Sequence, residues 1–212
     1  MGKLGELYFY YGVMGANKSY KLLTQSLDFT ENNIPAVFLN SVFDTRKSGK
    51  IYSRRNMEQD ALTYSPDDLL YPMITRYFDS LPNYKPETMA VVFIDEAQFL
   101  TSAQVLELSR LTTTYPIRVF AYGLRSDYLR NVWEGAAALF VHADIVEELR
   151  APCQYCAKKE NNASITRAKY NLRLANGVPV FTGEQIKVGF EYVGVCAECY
   201  EKARLEADNV LF

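Results

Sequence analysis

Short apolar runs alternate with longer segments of helical period through the first 150 residues of this chain. Leu7 to Tyr11 reads as a strand, and Ser19 to about Phe29 as a helix with Leu22, Leu23 and Leu27 on one face. After Pro35 a second strand covers Ala36 to Leu39, and Asp67 to Tyr77 has helical spacing through Leu69, Leu70 and Ile74. Met89 to Ile94 is almost continuously apolar, the pattern of a strand buried on both faces of a parallel sheet. A helix over Ala103 to Leu111, a strand over Ile117 to Tyr122, a turn at Gly123 to Asp127, a helix over Trp133 to Phe140 and a strand over Asp144 to Leu149 complete the series. Strands alternating with helices predict an α/β fold with a mostly parallel, doubly wound sheet. Residues 40 to 53 break the rhythm: Arg46, Lys47 and Lys50 surround Gly49 in a stretch that reads as a basic, mobile loop.

After Leu149 the pattern changes. Cys153-Gln154-Tyr155-Cys156 opens a polar segment that Cys196-Ala197-Glu198-Cys199 closes, so the domain boundary is expected near residue 150, with 1–150 an α/β nucleotide-binding domain and 151–212 a smaller domain ending in a helix. Four thiolates are the number tetrahedral zinc takes in a closed structural site; disulfides or inert buried thiols are the alternative. The chain opens without the basic and then apolar segment of a secretory signal, which predicts a cytoplasmic protein and favours metal ligation over disulfides. At 212 residues, 49% apolar and 23% charged with a net charge of −2, the composition is that of a soluble globular protein. It gives no global electrostatic reason to bind nucleic acid, and no apolar run approaches the roughly 20 residues of a membrane span.

The candidate chemistry sits at strand ends. Gly12-Val13-Met14-Gly15-Ala16-Asn17-Lys18-Ser19 lies between the first strand and the first helix and approximates the phosphate-binding pattern G-x-x-x-x-G-K-[ST]. In that pattern backbone N–H groups wrap a polyphosphate, the lysine reaches its outer phosphates and the hydroxyl takes Mg²⁺. Asn17 replaces the second glycine; among residues with a side chain, Asn tolerates the left-handed conformation best. The alternative is a plain strand-to-helix turn. Asp95-Glu96 ends the buried strand, where open α/β sheets place their ligands. One carboxylate could orient Mg²⁺ and the other accept a hydroxyl proton, or the pair could simply initiate a helix.

Taken together, Gly12-x-Met14-x-x-x-Lys18-Ser19, Asp44-Thr45-Arg46, Phe93-Ile94-Asp95-Glu96-Ala97-Gln98-Phe99, Tyr122-Gly123-Leu124-Arg125-Ser126-Asp127-Tyr128 and the two cysteine pairs resemble, in this order, the zinc-containing cellular and bacterial thymidine kinases. The resemblance covers nearly the whole chain. It implies a P-loop NTPase-like fold with a small C-terminal zinc domain carrying a lasso-like loop, and transfer of the γ-phosphate of ATP to the 5′-hydroxyl of thymidine. Glu96 would be the base and Lys18 would neutralise the transferring phosphoryl group. Gly12, Gly15, Asn17, Ser19, Asp44, Arg46 and Asp95 would complete the ATP and Mg²⁺ site. Met14, Phe99, Leu124, Tyr128, Thr166, Val188, Gly189 and Tyr192 would hold thymidine, and Cys153, Cys156, Cys196 and Cys199 a structural Zn²⁺. Feedback inhibition by thymidine triphosphate and a homotetramer follow from the same resemblance. Two other readings stay open: a catalytically weakened nucleotide-binding homologue with a regulatory role, resting on Asn17, and a zinc-bearing ATPase acting on nucleic acid, which would need a basic stripe with exposed aromatics.

Overall fold

The computed structural model describes residues 4–158, 166–186 and 190–209. In chain order the first part holds β1 (Leu7–Gly12), α1 (Lys18–Thr30), β2 (Ala36–Ser41), β3 (Lys50–Tyr52), β4 (Glu58–Asp60), β5 (Leu62–Tyr64), α2 (Leu70–Asp79), β6 (Ala90–Ile94), α3 (Ser102–Thr114), β7 (Ile117–Gly123), α4 (Glu134–His142) and β8 (Ile145–Leu149). Six of these strands form one parallel sheet in the order β5-β2-β6-β7-β1-β8. All five residues of β6 are buried, as its unbroken apolar run requires.

The two faces are packed differently. On one, Leu22 and Leu23 of α1 meet an aromatic layer of Tyr10, Phe38, Phe93, Phe120 and Tyr122, with Phe93 and Phe120 stacked 5.0 Å apart. On the other, α2, α3 and α4 bring Leu70, Ile74, Leu108, Leu111 and Leu139 onto Phe9, Val92 and Val119. Thr101 and Gln104 start α3 with a reciprocal capping box. Leu27, expected on the buried face of α1, is 42% exposed. Ser26 takes the inward position after Leu22 and Leu23, one helical step of about 100° away.

The expected loop after Asn40 is only partly a loop. β3 and β4 pair as an antiparallel hairpin whose Ile51 packs beneath α1, and Lys47 and Lys50 both reach Glu58 at 2.6 Å. The strands have three residues each and β4 is wholly exposed, so no alternation marks them.

The C-terminal part holds α5 (Gln154–Ala157), β9 (Tyr170–Ala175), β10 (Val178–Val180), β11 (Glu191–Val195) and α6 (Ala197–Asn209), with β9 central in a three-stranded antiparallel sheet. Asn176 and Gly177, both at positive φ, make the two-residue turn between β9 and β10. Leu172, Leu174, Val193, Val195 and Tyr200 pack around the cysteines. No described helix is long and apolar enough to cross a membrane.

Candidate active site

The segment from Gly12 to Ser19 leaves β1 and enters α1 at Lys18. Gly12 allows the loop to turn tightly against the sheet edge, because a Cβ there would stand 2.7 Å from the Leu149 carbonyl. Asn17 is left-handed, at φ 56° and ψ 33°, the conformation its glycine-like position demands. Its side chain makes no capping bond, which leaves the first N–H groups of α1 uncapped by it. Lys18 is buried and donates to the Val13 carbonyl at 3.1 Å. Burial lowers its pKa, against the pull of Glu96 and Asp95.

The carboxylates arrive from β6. Asp95 is fully buried and accepts from the Ser19 hydroxyl at 2.6 Å, joining strand end to phosphate loop. Burial, and then the charge of Glu96, push the Asp95 carboxyl up to about 7. Glu96 sits at φ 51°, a strained conformation for this residue. The Tyr64 hydroxyl donates to its carbonyl at 3.1 Å and Asp95 Oδ1 accepts its N–H at 3.0 Å, which fixes the turn. Its carboxylate accepts from Arg46 at 2.6 Å and from the Gln98 amide at 2.7 Å, while Gln98 Oε1 accepts the Leu124 N–H at 2.9 Å. Arg46 also grips Asp44 through two N–H groups at 2.7 and 2.9 Å.

Two cavities meet at these groups. The larger, about 330 Å³, is lined by Met14, Phe99, Leu124, Tyr128 and Tyr192 together with Asp44, Arg46 and Glu96. That volume is within the range of small-molecule sites. The smaller, about 70 Å³, follows Gly15, Asn17, Lys18 and Ser19. Met14, Arg46, Arg54 and Glu96 line both. Thr166 stands apart from this site: it is exposed, its carbonyl accepts the Cys153 N–H at 2.7 Å, and it faces a different cavity beside Cys196. Val188 and Gly189 lie outside the described residues.

The four cysteines converge. Their Sγ atoms lie within 4.8 Å of one another, with Cys156 3.6 Å from Cys199 and 3.9 Å from Cys196. A tetrahedron of Zn–S bonds of about 2.3 Å has edges of about 3.8 Å, near the two Cys156 separations, so this donor set could hold zinc. Cys153 and Cys196 each accept an N–H from the partner cysteine of their own pair at 3.5 Å. Four protein ligands leave no open position, which is the character of a structural site.

The family model for thymidine kinase matches residues 5–200 of this chain. The chain belongs to the thymidine kinase family. The thymidine kinase of Streptococcus agalactiae serotype V is 34% identical over 200 residues, covering 93% of this chain and 97% of the relative. That of Streptococcus pyogenes serotype M3 is 33% identical over 200 residues, with the same coverage. Among solved structures, an ATPase domain aligns at a TM-score of 0.48 and 12% identity over 94% of this chain and 84% of that one.

In this thymidine kinase family member the fold brings further residues to the two cavities. Arg54 borders both cavities; with Arg46 held by two carboxylates, it is the cation at the junction that has no ion-pair partner among the described residues. Arg55 lies over the Tyr20 ring, 4.8 Å from its centroid, and lines the phosphate groove. Asn171 accepts the Met14 N–H at 2.8 Å and ties β9 to the phosphate loop. Trp133 lines the larger cavity edge-on to Phe99, and its buried indole N–H has no hydrogen-bond partner among the described residues. Because Asn17 already holds the left-handed conformation without ligand, Asn17→Gly is expected to preserve ATP affinity, the ~1 kcal/mol of relieved strain appearing in fold stability instead. Calorimetric titration with a non-hydrolysable ATP analogue checks this; a clear fall would give the Asn17 side chain its own nucleotide contact.

Proposed function

We propose that this chain phosphorylates thymidine, transferring the γ-phosphate of ATP to its 5′-hydroxyl. The observation that carries the reading is the shared wall of the two cavities: Glu96, Arg46 and Arg54 stand where a nucleoside in the larger one meets a polyphosphate in the smaller. Met14, Phe99, Leu124, Tyr128 and Tyr192 provide flat apolar walls for a pyrimidine, and Val188 and Gly189 are further thymidine-binding residues on the family pattern. Glu96 takes the proton of the 5′-hydroxyl as the oxygen attacks the γ-phosphorus in line with the departing β-phosphate oxygen. Lys18, the N–H groups of Gly15 to Ser19, Arg46 and Arg54 oppose the charge on the transferring group. Mg²⁺, when bound, neutralises the β- and γ-phosphates, and Ser19 and Asp95 are the residues that would hold it. A carboxyl held up to about 7 in a buried position is one that a cation would return to its charged form.

On this reading residues 1–150 carry phosphoryl transfer and residues 151–212, pinned by zinc, carry nucleoside recognition. ATP and thymidine are its small-molecule partners in the cytoplasm, thymidine triphosphate is its feedback inhibitor, and the working form is a homotetramer. Neither nucleic acid nor a membrane takes part. The test is a labelled phosphate-transfer assay with ATP, Mg²⁺ and each of the four deoxynucleosides. Thymidine is expected to be the accepted substrate among them. No transfer from folded, zinc-loaded protein that still binds ATP would replace the kinase with a binding-only homologue.

A further inference from the structure

Arg173, near the middle of β9, is the bulkiest completely buried side chain among the described residues, at 1% exposure. Among the described residues no carboxylate pairs with it. A bare buried guanidinium is costly, and an apolar residue would serve a purely space-filling role better. Its contacts point to another role. Strand register sets Arg173 opposite Val180, where the chain leaves β10, and opposite Tyr192, where it returns in β11. The residue is therefore level with both ends of the loop between those strands. Its Nε donates to the Tyr192 hydroxyl at 2.9 Å, and one terminal nitrogen donates to the carbonyls of Glu184 and Gln185 at 2.7 and 3.1 Å. The guanidinium also lies 3.7 Å from the centroid of Tyr128, whose hydroxyl donates to the Gly183 carbonyl at 2.8 Å. Gln185 is held from the other side by Asp127 at 3.2 Å. Tyr128, Gln185 and Tyr192, drawn from three segments, all line the larger cavity, whereas Arg173 itself does not.

We infer that Arg173 is a positioning residue: it latches the first half of the β10–β11 loop to the Tyr128 turn and so sets the shape of the nucleoside pocket without touching the nucleoside. The planar fork is what the role needs. A lysine keeps the charge but cannot reach the Tyr192 hydroxyl, two carbonyls and an aromatic face together.

The inference rests on the assignment of thymidine to the larger cavity, and its test separates the two. Arg173→Lys and Arg173→Met are compared with wild type by steady-state kinetics, zinc content, thermal melting and hydrogen exchange of a peptide covering residues 181–186. Both variants are expected to retain zinc and cooperative melting and to exchange faster in that peptide. The KM for thymidine should rise about tenfold or more, with kcat and the KM for ATP within about threefold of wild type, as for loss of uniform binding to one substrate. Unchanged exchange in residues 181–186, or equal losses towards ATP and thymidine, would overturn the latch, as would loss of zinc and cooperative melting in both variants, which would make Arg173 a core stabiliser. Faster exchange in a protein whose wild type transfers no phosphate to thymidine would uphold the latch and overturn the substrate assignment instead.

Discussion

Glu96→Gln is expected to lower kcat by about 10²–10⁴-fold while ATP and thymidine still bind, the signature of a lost general base. The carboxylate has the right setting for that role: two donors, Arg46 and Gln98, hold it at the junction of the cavities, on a strained residue at the end of a fully buried strand. The amide is nearly isosteric but not neutral to the network. With its oxygen towards Arg46, its NH₂ meets the Gln98 NH₂; if Gln98 turns over, the Leu124 N–H loses its acceptor. A rise of a few-fold in the KM for thymidine is therefore expected alongside the fall in kcat, transmitted through Leu124 to the pocket wall. Single-turnover measurement separates the two effects. A phosphoryl-transfer step within threefold of wild type would remove Glu96 from the role of base.

Loss of the metal should act on thymidine binding rather than on the chemical step. Cys153→Ser or Cys199→Ser is expected to abolish zinc binding and to raise the KM for thymidine by at least tenfold, because structural zinc supplies about 10–16 kcal/mol of apparent folding energy to small modules of this kind. The cluster containing Leu172, Leu174, Val193 and Val195 is built around the cysteines themselves. A smaller rise in the KM for ATP is expected too, since Asn171 accepts the Met14 N–H and Gln154 lies beside Gly15. The six-stranded sheet, with its own two cores, should keep its cooperative melting. Metal analysis, kinetics and calorimetry check this together. A variant that keeps both zinc and wild-type kinetics would mean that the cysteines do not form the site.

What the chain determined by itself is whatever is written in neighbouring residues. Apolar runs and helical spacing were enough to place β1, β2, β6, β7 and the helices between them, because burial on a parallel sheet leaves a local pattern. The strand-to-helix loop from Gly12 to Ser19 is legible for the same reason, and so is the left-handed position at Asn17, since such a position restricts residue choice where it occurs. The cysteine pairs are legible because metal spacing within each pair is local. The Asn176-Gly177 turn is a further signal of this kind, and with β-rich flanks it marks the β9–β10 hairpin in the sequence itself.

Tertiary structure decided everything that depends on residues distant in the chain. The hairpin of β3 and β4 is too short and too exposed to show a period, yet it carries Arg54 and Arg55 to the phosphate groove. Tyr64 fixes a turn 32 residues away. Thr166 shares a segment with the cysteines but lines a different cavity, its carbonyl accepting the Cys153 N–H. Arg173 reads in sequence as one polar residue in a strand; only the register of β9 with β10 and β11 places it between both ends of the loop. Side-chain pattern reports which face of an element is buried, whereas the identity of what lies against that face is fixed by packing between elements, and the active site is made of such contacts.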